Sequence, residues 1–298
     1  MIKNFEFFKE KIIDSEKKKI VLVGSEDREA LISLKKAEKI GIADAILVGN
    51  KEITKKYCEE LQINFEIIDS KTPESAVEIG VKLVNSGKGN ILMKGLIKTS
   101  ILLKAVLNKD WGLRKNKLLS HICAMEIPGI DRLLFVADGG MVIKPNLSEK
   151  IEIIKNSVEF LNDLGYANPN VAVISAVEVV NDAIESTIDA AILSKMNQRG
   201  QIKNCTIDGP LGIDNAINEK AAEIKKIKSK VAGKADLLIV PDINSGNFLG
   251  KSAIYLSKGT IAGVILGSRA PIVLTSRADE EKSKLNSIAL AVYSTLKK

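Results

Sequence analysis

The stretch PIVLTSRADEEKSKL (271–285) sets Thr275, Ser276 and Arg277 where an apolar run stops and a charged helical pattern begins. A planar guanidinium can grip a phosphate through two hydrogen bonds, and a neighbouring hydroxyl adds a third polar contact. Two other strand-to-helix junctions carry related equipment. MKGLIKTS offers Lys94, Gly95, Lys98, Thr99 and Ser100, and PDINSGNFLGKS offers Ser245, Gly246, Asn247, Lys251 and Ser252. Unpaired N–H groups and the positive end of the helix dipole attract anions at such places. The chemistry these residues suit is oxyanion binding. Each also has a purely local reading. Ser276 with Asp279 fits a capping box, Thr99 or Ser100 fits an N-cap, and Asp138, Asp208 and Asp242 end strands where a carboxylate can cap the next turn.

Other chemistries are excluded. Neither GxGxxG nor GxxxxGK[ST] occurs, so there is no dinucleotide fingerprint and no Walker A loop. The single histidine, His121, lies inside apolar KLLSHICAMEI and reads as a half-buried structural residue. Cys58, Cys123 and Cys205 are scattered and form no CxxC pair, which argues for a reducing cytoplasm and against disulfides or zinc. The formal net charge of +7 reflects a Lys-rich surface that favours small polyanions. Nucleic acid is not an expected partner, because no basic patch interleaves with aromatics. A membrane is not expected either. The N-terminus lacks an apolar h-region, and runs such as AGVILG and VAVISAV are far short of a span.

The elements that must position these residues follow a regular alternation. Short β-branched runs at 19–25, 44–50, 64–70 and 90–95 are each followed by a helical pattern; Thr72-Pro73 predicts an N-cap and a first-turn proline. KLLSHICAMEI and RLLFVAD, separated by turn residues, predict an antiparallel hairpin. Alternation resumes with a helix over 147–164, strands at 171–177, 202–209, 235–242 and 260–267, and a last strand at 271–276 before a final helix over 279–297. The expected fold class is α/β, two α/β domains with mostly parallel sheets. The domains are expected to be 1–142 plus 270–298, and 143–269. In open α/β sheets ligands bind at the carboxyl ends of strands, where the candidate residues fall.

Six segments taken together resemble one family: MKGLIKTSILLKAVLN, DRLLFVADGGM, SKMNQRGQI, DGPLGIDNA, VAGKADLLIVPDINSGN and APIVLTSRAD. The chain resembles the phosphate acetyl/butyryl transferases, most closely the phosphate butyryltransferase branch. The resemblance implies reversible acyl transfer between coenzyme A and inorganic phosphate, with no metal and no cofactor beyond coenzyme A as substrate. It also implies a fold like that of the isocitrate and isopropylmalate dehydrogenases with an active cleft between domains, and a homodimer or dimer-based oligomer. Acyl-CoA and inorganic phosphate are the implied partners. Carried over to this chain, Ser276 lies beside the coenzyme A sulfur and Arg277 holds the phosphoryl group. Lys104 lies near a family arginine, and Asn247 and Lys251 match a GN-x-x-x-K element. Lys98, Thr99, Ser100, Asp138 and Asp242 complete the expected substrate-binding set. The acetyl branch has an aspartate seven residues after the serine. Here that position is Ser283, so Asp279 is the candidate thiol base. Val142 and Gly250 are further departures. Phosphate acetyltransferase, or a catalytically weak acyl-CoA or phosphate-binding protein, are the alternative readings.

Overall fold

The computed structural model describes residues 1–13, 15–115, 118–274 and 281–296. Contacts divide the chain into two units, one of residues 5–117 with 262–298 and one of residues 1–4 with 118–261.

In the first unit the strands are β1 (Lys18–Val23), β2 (Ala43–Gly49), β3 (Glu66–Asp69) and β4 (Ile91–Lys94), with β10 (Thr260–Leu266) and β11 (Ile272–Val273) returning late in the chain. Their order is β3-β2-β1-β4-β11-β10. All neighbours are parallel except β10 and β11, which are antiparallel. Ile20 to Val23 are fully buried, as a continuous apolar run in a central parallel strand should be. The helices between the strands start on the caps their sequences advertise. Asp27 caps α2 (Arg28–Lys39), Asn50 caps α3 (Lys51–Leu61), and Thr72 caps α4 (Pro73–Asn85) with proline in the first turn.

Three features of this unit differ from the sequence reading. The N-terminal segment forms a helix, α1 (Glu6–Ile12), that the mixed charges concealed; the spacing of Phe5, Phe8 and Ile12 carries the signal. Phe8 packs on Tyr293 of α11 (Glu281–Ser294), ring centroids 5.2 Å apart. The last strand, expected over 271–276, is described only as the two residues of β11. Finally, α5 (Thr99–Val106) begins one residue earlier than a Thr99 or Ser100 cap would allow, because Lys98 occupies the N-cap position.

The second unit orders its strands β5-β6-β9-β7-β8. They are β5 (Ser120–Glu126), β6 (Leu134–Ala137), β7 (Asn170–Ile174), β8 (Thr206–Leu211) and β9 (Leu237–Ile239). The β5–β6 pair is the antiparallel hairpin, and the remaining pairs are parallel. Because β6 pairs with β9, the segment 118–142 belongs here and not with the N-terminal strands to which the sequence reading assigned it. Helix α6 (Leu147–Asp163) starts on a full capping box of Asn146 and Glu149. The strand expected at 202–209 is shifted to 206–211. It runs through Gly209-Pro210, which an edge strand tolerates, and its register with β7 shifts between Ala172 and Ile174 to accommodate them.

Candidate active site

The junction between β4 and α5 is shaped by a backbone contact. A Cβ on Gly95 would lie 2.2 Å from the Gly24 carbonyl oxygen, so only glycine lets this turn close against the end of β1. The Gly95 amide donates to Val23 O at 2.9 Å, and the Leu96 amide donates to Gly24 O at 2.8 Å. Lys94, 7% exposed, donates its ammonium to Gly95 O at 3.1 Å, which places positive charge at the carboxyl end of the strand.

From this pinned turn the chain enters α5 in an unusual way. Lys98 is extended at φ −67°, ψ 133°, and no side chain caps the helix. Among the described residues, the amides of Thr99 and Ser100 make no hydrogen bond. The structure therefore brings Lys98, Thr99 and Ser100 together around two open N–H groups and the positive end of a helix dipole. Lys98 and Ser100 are exposed, and Thr99 is half-buried. Lys104 is exposed in the last turn of α5, where it complements the negative end of the dipole. It does not join that cluster: five residues of helix carry it about 7.5 Å along the axis from Thr99.

In the second unit the turn after β6 is organised by Asp138, which is 2% exposed. Its Oδ1 accepts from the amides of Gly140 and Met141, each at 2.8 Å, and its Oδ2 accepts from the amide of His121 at 2.8 Å. A carboxylate that accepts three amide bonds is committed to holding backbone. His121 is half-buried on β5, and its ring faces Gly140, where a Cβ would come within 3.1 Å.

The same turn lies against α10 (Ile243–Tyr255). A Cβ on Gly246 would fall 2.5 Å from the Gly139 Cα, and one on Gly139 would fall 2.7 Å from the Gly246 carbonyl carbon. Asp242 caps α10, accepting from the Ser245 amide at 2.9 Å and the Ser245 hydroxyl at 3.0 Å. The Ile243 amide donates to Ile143 O at 3.0 Å. This helix start already holds an anion. Asn247 and Lys251, one turn apart on α10, are exposed. The candidates Ser276, Arg277 and Asp279 lie outside the described residues.

The titration shifts fall on none of these candidates. Burial pushes the Cys205 thiol up to about 11 and raises Cys58, so both resist becoming thiolates. Burial raises Tyr166 to about 12, and it raises Asp236. The ammonium of Lys225 lowers Asp214.

A branched-chain phosphotransacylase from Enterococcus faecalis superposes with a TM-score of 0.82 at 29% identity, covering 93% of this chain and 98% of that one. A 4-hydroxythreonine-4-phosphate dehydrogenase from Klebsiella pneumoniae shares the fold alone, with a TM-score of 0.61 at 13% identity over 94% of this chain and 99% of that one. The phosphate butyryltransferase of Clostridium beijerinckii is 45% identical over 295 residues, covering 98% of this chain and 97% of its own length. The phosphate acetyltransferase of Thermotoga maritima is 43% identical over 290 residues, covering 95% and 98%. The pattern of the family described as "Phosphate acetyl/butaryl transferase" matches residues 71–292. The chain belongs to this family and is an acyltransferase.

Proposed function

We propose that the protein catalyses butanoyl-CoA + phosphate = butanoyl phosphate + CoA. The observation that carries this reading is the 45% identity with a phosphate butyryltransferase along nearly the whole of both chains. The start of α5 supports it, since both substrates carry phosphates and, among the described residues, the helix offers two amides without a hydrogen bond beside Lys98. In this reading Lys98, Thr99 and Ser100 bind a substrate phosphate, and Asn247 and Lys251 are substrate-binding residues. Arg277 holds the phosphoryl group as it develops charge, Ser276 hydrogen-bonds the coenzyme A sulfur, and Asp279 is the candidate base for the thiol. Phosphate is a good leaving group in the reverse direction, so positioning and electrostatics supply most of the catalysis. Asp138 and Asp242 act through the backbone they hold rather than on substrate. Lys104 contributes long-range positive charge.

The 43% identity with a phosphate acetyltransferase favours a second reading, acetyl transfer. Thiol release from CoA esters of two, four and five carbons separates the two. We expect the highest kcat/KM with the four-carbon ester; a preference for acetyl-CoA would select the alternative. The chemistry we propose needs no metal or cofactor, with the protein acting in the cytoplasm. No described helix is long and apolar enough to cross a membrane. A dimer-based assembly is part of the proposal, supported by the exposed Phe248, Tyr255 and Leu256 at 67%, 67% and 80%.

A further inference from the structure

The positive charge of the chain is concentrated in one stretch. Residues 220–234 hold six lysines, Lys220, Lys225, Lys226, Lys228, Lys230 and Lys234, and one acid, Glu223, a net +5 within a chain whose total is +7. The stretch runs from α9 (Glu219–Ile224) to the approach of β9 in the second unit. Two of the six lysines are neutralised. Lys225 bonds Glu178 at 3.1 Å and Asp214 at 3.0 Å, and Lys234 lies 3.4 Å from Glu219. Lys220, Lys226, Lys228 and Lys230 are exposed and make no ion pair among the described residues. The backbone beneath them is held by its own contacts. Ile227 packs on the core cluster that contains Ala222, Val231 and Ala232, and its amide donates to Ala222 O at 3.0 Å. The Lys226 amide donates to Glu223 O at 2.9 Å, and the Ser229 hydroxyl oxygen accepts from the Val231 and Ala232 amides at 3.0 and 3.1 Å.

Exposed aliphatic side chains accompany these charges. Ile224, which ends α9, is 71% exposed. The two carboxylates that Lys225 bonds each adjoin others in sequence. Val179 and Val180 follow Glu178 and are 63% and 61% exposed, and Ile213 precedes Asp214 and is 41% exposed. The ion pairs of Lys225 therefore draw three chain segments into one surface that is both aliphatic and basic. What it fits follows from what it lacks: these segments hold no aromatic residue and no arginine. Protein interfaces are enriched in aromatics, Met and Arg and depleted in Lys. Single-stranded nucleic acid is held by aromatics on which its bases stack. Aliphatics beside ammonium groups suit an anionic lipid surface, where headgroups neutralise the lysines and the aliphatics enter the acyl boundary. Attachment of that kind requires no membrane span. We propose that this surface of the second unit binds anionic lipid bilayers peripherally.

The test is co-sedimentation with vesicles of phosphatidylcholine alone, or with about a third phosphatidylglycerol, at low and high salt. Wild type is compared with three variants: Lys226→Gln/Lys228→Gln/Lys230→Gln, Val179→Ser/Val180→Ser, and a control on α3, Lys51→Gln/Lys55→Gln/Lys56→Gln, whose lysines are also exposed. Melting temperatures establish that each variant is folded. Wild type should sediment with the anionic vesicles, leave them at high salt and ignore the neutral ones. The loop lysine variant should bind about a hundredfold more weakly, as expected for three lysines at an anionic surface. The valine variant should bind about tenfold more weakly, and the control should bind as wild type does. Wild type that stays in solution with anionic vesicles would overturn the proposal, and so would an equal loss in the α3 control, which would reduce the effect to net charge. Tighter binding of a polyuridylate oligonucleotide than of vesicles, lost in the loop lysine variant, would assign the surface to nucleic acid instead. A valine variant that changes the mass of the particle in solution and leaves vesicle binding intact would assign it to a second copy of the chain.

Discussion

The starts of α5 and α10 look alike in sequence and differ in structure. Each follows a strand through a short turn, and each carries glycine, serine and lysine. At α10 a carboxylate, Asp242, occupies the cap and satisfies the Ser245 amide. At α5 the cap position is Lys98, and among the described residues the Thr99 and Ser100 amides make no hydrogen bond. One helix start carries its own carboxylate, and the other carries no side-chain cap. Similar motif content therefore accompanies cap positions of opposite charge.

That contrast can be attacked at several points. The largest effect is expected at the glycine contact that seats α10. Gly246→Ala drives a Cβ into the Gly139 backbone at 2.5 Å, with no flexible side chain to yield. We expect a loss of about 3 kcal/mol in denaturant unfolding, the upper end for overpacking. A loss below about 1 kcal/mol would mean that the turn and the helix separate easily.

The most informative change converts one helix start into the other. Lys98→Asp gives α5 the cap that α10 has. Stability should rise by about 1 kcal/mol, while KM for phosphate or coenzyme A should rise about thirtyfold, equivalent to about 2 kcal/mol. A gain in stability without loss of affinity would remove α5 from the binding site. The reciprocal change is smaller. Asp242→Ala should cost about 1 kcal/mol of stability and leave both KM values within about twofold. An increase beyond that would return Asp242 to the substrate-binding set.

A similar contrast separates two carboxylates of the second unit. Asp138 accepts three amide bonds, whereas Asp236 accepts one, from Asn170 at 2.8 Å, and its Oδ1 has no partner among the described residues. Burial raises Asp236 more than the Asn170 amide and Arg132 lower it. A raised folded-state value means that the native state binds the proton more tightly than the unfolded chain does. Its contribution to stability is therefore full below the ordinary carboxylate range and is lost as pH rises from there through the raised value. Asp236→Asn should flatten that part of the profile, read as urea midpoints across the acid range. An unchanged slope would contradict the assignment.

Much of the fold was legible because strong local signals agreed. Thr72-Pro73 and the continuous apolar run of β1 act over a few residues and were read correctly. What escaped depends on contacts distant in sequence. Nothing local to Leu134–Ala137 says that it pairs with Leu237–Ile239 and so leaves the N-terminal unit. The shift of β8 follows from its register with β7. At the site, residue types pointed to phosphate chemistry, but no local pattern distinguishes an aspartate that caps a turn from one that meets a ligand. The burial of Lys284, away from any local signal, was not legible either, because a lysine in a helical pattern reads as surface and only packing buries it.

The account stands most directly on one reaction. Purified protein is incubated with butanoyl-CoA, with and without inorganic phosphate; free thiol is followed, and the acyl phosphate is trapped with hydroxylamine. The account predicts thiol release that requires phosphate and a matching amount of butanoyl hydroxamate. Thiol release that is independent of phosphate, or no release with any acyl-CoA, would contradict it.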